Sequence, residues 1–255
     1  MDHTDQRGAP IDGAPPRPLT AAYGANDANG AVQADVFSQL AVEMQAAAGV
    51  EETVDAVVQF ALQALDCSYA GVALHAKGER PAIPAVTDAV VAEIYQFQLD
   101  SNEGPLIASM RDRATVLICD TAADQRWPQW AEKVTTLGVR SVLDVPLTLG
   151  QASSTVGVLG LYSQRPDGFS TDDEAIAQIL ARHASVAVAA ARHEETMAAA
   201  VDARKLVGQA MGILMERFDV DGDRAFAILR RYSQDTNTKL RDVAQQLIHT
   251  RQLPH

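Results

Sequence analysis

A stretch without proline runs from Ser170 past Leu214. Ile176, Ile179, His183, Val186, Ala190, His193, Met197, Ala200, Arg204, Val207, Met211 and Leu214 step through it by threes and fours, over roughly five heptads. Ser170 or Thr171 supplies an N-cap, and Asp172, Asp173 and Glu174 fill the first turn, where the helix dipole favours acids. Alanine and histidine make poor knobs, so the seam is weak. The reading is still one long helix, coiled-coil in character, joining two domains. A stiff helical linker transmits a rotation or a change of pairing, which a glycine-serine linker cannot do.

Ahead of it, residues 1–30 carry Pro10, Pro15, Pro16 and Pro18 among glycine, alanine, asparagine and aspartate. That composition buries too little apolar surface to offset chain entropy, and predicts a disordered leader. Helical spacing begins at Val32, includes Val36, Phe37, Leu40, Ala41 and Met44, and stops at Gly49. A second helix is expected over 51–65. The period then changes. Strands are expected over 68–75, 115–118, 139–149 and 155–163, with 81–86 an edge strand or loop. Helices are expected over 88–99 and 127–137, and a short one after the turn Asn102-Glu103-Gly104-Pro105. Strands clustered between helices without regular alternation indicate an α+β sheet, not a doubly wound one.

The last segment, 202–255, has nine basic and seven acidic side chains in a chain with 33 acidic and 21 basic ones and a net charge of −12. Three helices fit it: one ending near Arg217, one over 223–233 capped by Asp221, and one over 238–251 capped by Asn237 or Thr238. Phe218, Val220, Phe226, Leu229, Leu240, Val243, Ala244, Leu247 and Ile248 are apolar enough to pack them, with Phe226 expected in the core. So small a core needs support from the preceding helix or a second copy.

Three ordered blocks stand out here. They are Val207-Gly208-Gln209-Ala210-Met211-Gly212-Ile213-Leu214-Met215, Ala225-Phe226-Ala227-Ile228-Leu229-Arg230-Arg231-Tyr232-Ser233 and Asn237-Thr238-Lys239-Leu240-Arg241-Asp242-Val243-Ala244. Together they resemble the ANTAR family of three-helix RNA-binding modules in bacterial regulators. The resemblance implies transcription antitermination by a homodimer that binds paired hairpins with hexanucleotide loops in nascent mRNA. Arg204, Lys205, Lys239 and Arg241 would supply cations for phosphates, although such charges also suit a solvated helix face. Gln209 can hydrogen-bond a base edge, and Asn237 heads the third block. Ala210 and Gly212 lack bulk, so a splayed base or a partner backbone could approach there. Gly208 and Gly212, four apart, equally suit helix–helix contact in a dimer.

Upstream, Asn102-Glu103-Gly104-Pro105-Leu106, the run from Asp120 to Pro128, Gly138 to Leu147 and Gly157 to Tyr162 resemble a GAF domain. It is similar to the branch often found before ANTAR modules in actinobacteria. The resemblance implies an antiparallel sheet flanked by helices, with a concave face that holds a small molecule in some members and is empty in others. The domain plan is a leader over 1–30, a GAF-type sensor over 31–170, a linker helix over 171–201 and an ANTAR module over 202–255. The sequence specifies no ligand or cofactor. Its histidines fall at no metal-binding spacing, Cys67 and Cys119 read as small buried hydrophobes, and Asp120, Asp124 and Arg126 read as turn residues. Trp127 and Trp130 are expected in the core or closing a pocket. No phosphate loop, nucleophile elbow or carboxylate pair calls for an enzyme.

The acidic net charge excludes a protein that coats nucleic acid or anionic membrane indiscriminately, but allows a selective reader. No apolar run is long enough to cross a bilayer and no signal peptide is visible, so a soluble cytoplasmic protein without membrane contact is expected. Two other readings stay open. The helix from Lys239 could serve a DNA-binding transcription factor, although its preceding turn lacks the usual glycine. The bundle could also serve pairing alone, in a ligand-binding dimerisation protein.

Overall fold

The computed structural model describes residues 46–75, 80–150 and 155–252, together with Val42 and Met44. The leader over 1–30 and nearly all of the helix expected over 32–44 lie outside the described residues. In chain order the elements are α1 (Val50–Ala64), β1 (Tyr69–Leu74), β2 (Ala82–Val86), α2 (Ala89–Ser101), α3 (Pro105–Asp112), β3 (Val116–Ile118), α4 (Pro128–Thr136), β4 (Ser141–Thr148), β5 (Thr155–Ser163), α5 (Thr171–Phe218), α6 (Gly222–Asp235) and α7 (Leu240–Thr250).

Five antiparallel strands pair in the order β2-β1-β5-β4-β3. Side chains alternate across the sheet, as the two-residue strand period requires. Ala70, Val72, Leu74, Leu143, Val145, Leu147, Leu159 and Leu161 face one way, against Val54, Val57, Val58 and Ala61 of α1 and Ala177, Leu180, Ala184 and Val188 of α5. Ala73, Val142, Val158 and Tyr162 face the other way, beneath Val91, Ile94 and Tyr95 of α2, Leu106 of α3 and Trp130 and Val134 of α4. The expected α+β sheet flanked by helices is therefore present, with two cores on opposite faces.

Helix α5 begins at a capping box in which Ser170 and Asp173 satisfy each other's backbone N–H groups. It runs 48 residues unbroken, about 72 Å at 1.5 Å per residue. Its first half packs on the sheet. From His193 to Asp202 every side chain is exposed. Its end then joins a third core, in which Ala210 and Leu214 meet Ala225 and Leu229 of α6 and Val243, Ala244 and Leu247 of α7.

Three local expectations need correction. Neither Asn237 nor Thr238 caps α7. Asn237 takes the left-handed conformation at φ 51° to make the turn, the Thr238 hydroxyl bonds back to the Thr236 carbonyl, and the N-cap position falls to Lys239 with no side-chain cap. Phe226 is not a core residue. The buried face of α6 is set by Ala225 and Leu229, and Phe226, turned about 100° from Ala225, is 39% exposed. The strict heptad seam is also not one surface, because Ile176 packs with the sheet core while Leu214 is buried in the bundle.

Candidate nucleic-acid interface and sensor core

The bundle takes its geometry from its turns. Asp221 caps α6 by accepting from the backbone N–H of Arg224 at 2.8 Å, just after α5 ends at a left-handed Asp219. Helix α6 therefore doubles back along α5. Helix α7 then runs forward again, and its far end is fixed where Arg217 Nη1 donates to the Arg251 carbonyl at 2.6 Å. Leu206 on α5 and Leu240 at the start of α7 both pack on the same core.

That geometry brings most of the candidate RNA-contacting residues to one end of the bundle. Arg204 and Lys205 are exposed on α5, and Asn237, Lys239 and Arg241 are exposed around the start of α7. Lys205, Gln209 and Gly212 step by four and three, so they line one exposed face of α5. Arg241 is engaged, with Nε 3.1 Å from an Asp242 carboxylate oxygen, an exposed pair that stabilises little and yields readily to a phosphate. Lys239 heads α7 without a side-chain cap, next to the backbone N–H groups of a helix start, where anions are favoured. Ala210 must be withdrawn from the set. It is fully buried against α6 and α7, so its small size serves helix packing, and no base can reach it. Gly208 and Gly212 differ, since a Cβ at either would meet nothing within 4 Å. Glycine inside a helix costs about 1 kcal/mol relative to alanine, and nothing in the described fold requires it at these two positions.

The other chemically distinctive place lies under α2 and α4. Asp144 on β4 is fully buried opposite Gly160 on β5, and neither of its carboxylate oxygens has a hydrogen-bond partner among the described residues. Burial pushes its pKa up to about 8. The Tyr95 hydroxyl donates to the Gly71 carbonyl at 2.8 Å, and its ring meets that of Tyr162 edge-on at 6.1 Å. A Cβ on Gly160 would lie 2.5 Å from the Tyr95 hydroxyl, 2.8 Å from Asp144 Oδ1 and 2.8 Å from the Tyr162 hydroxyl. Gly160 is therefore the space around which three polar groups converge. Trp130 Nε1 and Ser109 Oγ, on this side of the sheet, are likewise buried without a hydrogen-bond partner among the described residues, and the Tyr162 hydroxyl lies against that of Tyr95. At the sheet's end a cleft of about 370 Å³ is lined by residues that include His75, Asn102, Met110, Arg111, Arg113 and Thr155.

A family model for the GAF domain matches residues 49–188, more than half of the chain, and one for the ANTAR domain matches 195–248. The chain belongs to the GAF family and carries an ANTAR domain behind it. Among solved structures it is similar to the GAF domain of a phosphoenolpyruvate-protein phosphotransferase from Acinetobacter, at 16% identity and TM-score 0.50, covering 64% of this chain and 95% of that one. The corresponding domain from Coxiella burnetii matches at 17% identity and TM-score 0.50, over 64% and 95%. A free methionine-R-sulfoxide reductase from Neisseria meningitidis, solved with its substrate, matches at 15% and 0.50, over 65% and 93%. At these identities the likeness establishes the fold alone. No curated protein sequence matches.

Other GAF residues are placed as follows. Asp120 accepts from the Ala122 N–H at the start of a short 3-10 turn and holds Arg140 through both carboxylate oxygens, the closest contact being 2.9 Å. Asp124 and Arg126 pair at 2.6 Å, and the Arg126 guanidinium stacks over Trp127. All three thus belong to a turn and its ion pairs, with the Asp124 carboxylate nearly buried. Trp130 is buried and meets Trp127 edge-on. Cys67 is half-buried, its thiol pushed up to about 11 by burial, whereas Cys119 is exposed, contrary to expectation. Sequence reasoning misses Asp144. Its signal is an acid on an inward-facing position of an otherwise aliphatic strand.

Proposed function

We propose that this GAF–ANTAR protein is a non-catalytic, RNA-binding antitermination regulator. In it the GAF domain senses a small molecule and controls how a homodimer presents two ANTAR bundles to paired hexaloop hairpins in nascent mRNA. One observation carries the reading. A single uninterrupted helix has its first half buried on the sensor sheet and its end buried in the bundle core, so a change of tilt or rotation at the sheet is delivered to the bundle without a joint.

The RNA-facing surface is assigned to Lys205, Gln209 and Gly212 of α5 with Asn237, Lys239 and Arg241 at the start of α7, and to Arg204 at its edge. The cations position phosphates, Gln209 reads a base edge, and loop bases splay against the small residue at 212. Among the described residues, the buried polar groups around Asp144 and the Arg111–Arg113 cleft are two places where the sensor offers chemistry to a ligand. Among the described residues no helix is long and apolar enough to cross a membrane, in keeping with a protein that meets transcripts in the cytoplasm. Retardation of a tandem-hairpin RNA by the full chain tests the proposal, with duplex DNA as competitor to separate it from a DNA-binding factor. Sedimentation of a chain that fails to bind RNA would detect a bundle that serves pairing alone.

A further inference from the structure

The buried stripe of α5 ends in a charge. Ala184, Val188 and Ala191 lie in the sensor core and step by four and three, and the next position on that line is Glu195. Glu195 is an exposed residue, yet its Oε1 accepts from the backbone N–H of Val50, the first residue of α1, at 3.0 Å. Three residues earlier, Arg192 Nη2 donates to the carbonyl of His75, just past the end of β1, at 3.1 Å. Among the described residues, no α5 side chain from Thr196 to Asp202 hydrogen-bonds the GAF domain, so these two contacts stand where the helix leaves it.

Helix α1 depends on this arrangement. Its N-cap residue is Gly49, which has no side chain to offer. Glu52 turns back to accept from the Ala48 N–H at 2.7 Å, and the N–H of Val50 falls to Glu195, a carboxylate at a helix start, where the dipole favours it. Gly49 also leaves the room, since a Cβ there would lie 2.9 Å from Glu195 Oε1. A groove of about 480 Å³, walled in part by Leu74, Ala82, Pro84, Arg192 and Glu195, gives the carboxylate space to swing aside without disturbing either core.

We infer that Glu195 and Arg192 form a latch: they fix the direction in which α5 leaves the sensor, and its release is the step that carries a change at the start of α1 or the end of β1 to the ANTAR bundle. What the latch controls rests on the regulator proposed above. The latch itself concerns only α5 and the sensor, and both residues are positioning residues.

Two properties suit the pair to this role. One anchor sits on α1 and the other beyond β1, so a shift of α1 against the sheet cannot preserve both bonds. The helix beyond is a lever. Ala210 lies fifteen residues past Glu195, about 22 Å along the axis, and a tilt of about 10° at the latch displaces it by about 4 Å.

Spin labels on Glu132→Cys and Ala199→Cys, both exposed sites, read the exit direction in the full chain with Cys67→Ser and Cys119→Ser. Dilution with unlabelled chain restricts the distance to one molecule. The parent should give one narrow distance. Glu195→Ala should broaden or shift it, and should speed amide exchange in the first turn of α1 by about fivefold, the effect of one lost cap. Gly49→Ser separates latch from cap. The backbone at Gly49 is extended, at φ 166°, so the substituted side chain can cap α1 itself. Added to Glu195→Ala, it should return α1 exchange to the parent rate while the distance stays broad. Recovery of the narrow distance as well would mean that Glu195 only stabilises α1, and would overturn the latch.

Glu195→Gln keeps the acceptor and should stay narrow; Arg192→Met keeps the stem, loses the donor and should broaden. Glu195→Gln as broad as Glu195→Ala, or Arg192→Met as narrow as the parent, contradicts the assignment, and this comparison decides alone should Gly49→Ser fail to recap α1. Hairpin affinity should then differ between Glu195→Ala and Glu195→Gln by about threefold or more. Equal affinities in a chain that binds would overturn the signalling role. Absence of binding by every variant and the parent would count against the RNA reading and leave the distances standing.

Discussion

Arg217 donates across the bundle to the carbonyl of Arg251 at 2.6 Å, tying the last turn of α5 to the last turn of α7. The contact sets the phase of α7 along α5, and therefore where Lys239 and Arg241 stand relative to Lys205. Arg217→Ala should cost about 1 kcal/mol, the usual net worth of such a bond. Amide exchange should speed up in α7 and leave α2 and α4 unchanged. Uniform acceleration across both domains would show that the contact does not act locally.

Core and surface separate on α6. Leu229 is fully buried between α5 and α7, and its truncation to alanine should destabilise the bundle by about 2–4 kcal/mol. Phe226, 39% exposed, should lose about 1 kcal/mol or less as alanine. Urea unfolding followed by a probe placed in the bundle measures both. Equal losses would return Phe226 to the core.

The buried carboxyl of Asp144 makes the GAF domain's stability depend on pH. Its folded pKa near 8 lies above the unfolded value of ~3.9, so the folded state holds a proton that the unfolded state releases. Its contribution is therefore intact below about pH 4, and stability is lost as pH rises toward 8. Asp144→Asn removes the titration. The variant should gain stability over the parent at pH 8 relative to pH 5, a difference read from urea midpoints at the two values. A gain that does not grow with pH would mean that a partner stabilises the ionised form.

Charge reversal at Lys205 or Lys239 should weaken RNA binding without altering the melting transition. Removal of one phosphate-binding cation should reduce the slope of log affinity against log salt by about 0.7 if the strand it binds is single. Unchanged affinity at both positions would make these lysines ordinary solvated charges.

The strands, the long helix and the three-helix bundle are legible in the sequence because each follows from local spacing, capping and turn chemistry. Ser170 and Asp221 announce their helices. Spacing along the chain does not provide the face a residue turns toward a neighbour. Ala210 and Gly212 look alike as small residues, yet one is sealed in the bundle and the other exposed. Asn237 looks like a cap but is used for a left-handed turn. The heptad count describes a helix in isolation. It fails where α6 and α7 occupy the same positions, which only the packed chain reveals. The convergence of Asp144, Tyr95 and Tyr162 on Gly160 joins three separate elements and is invisible to spacing along one.

On the proposed reading, the ANTAR bundles of this chain bind RNA. A gel shift at low salt, using the full-length protein and an RNA with two tandem hexaloop hairpins, measures it directly. Retardation is expected, abolished when both loops are replaced, sharply reduced when one is, and resistant to duplex DNA. Failure to retard the RNA at any protein concentration, with or without added small-molecule extract, would contradict it.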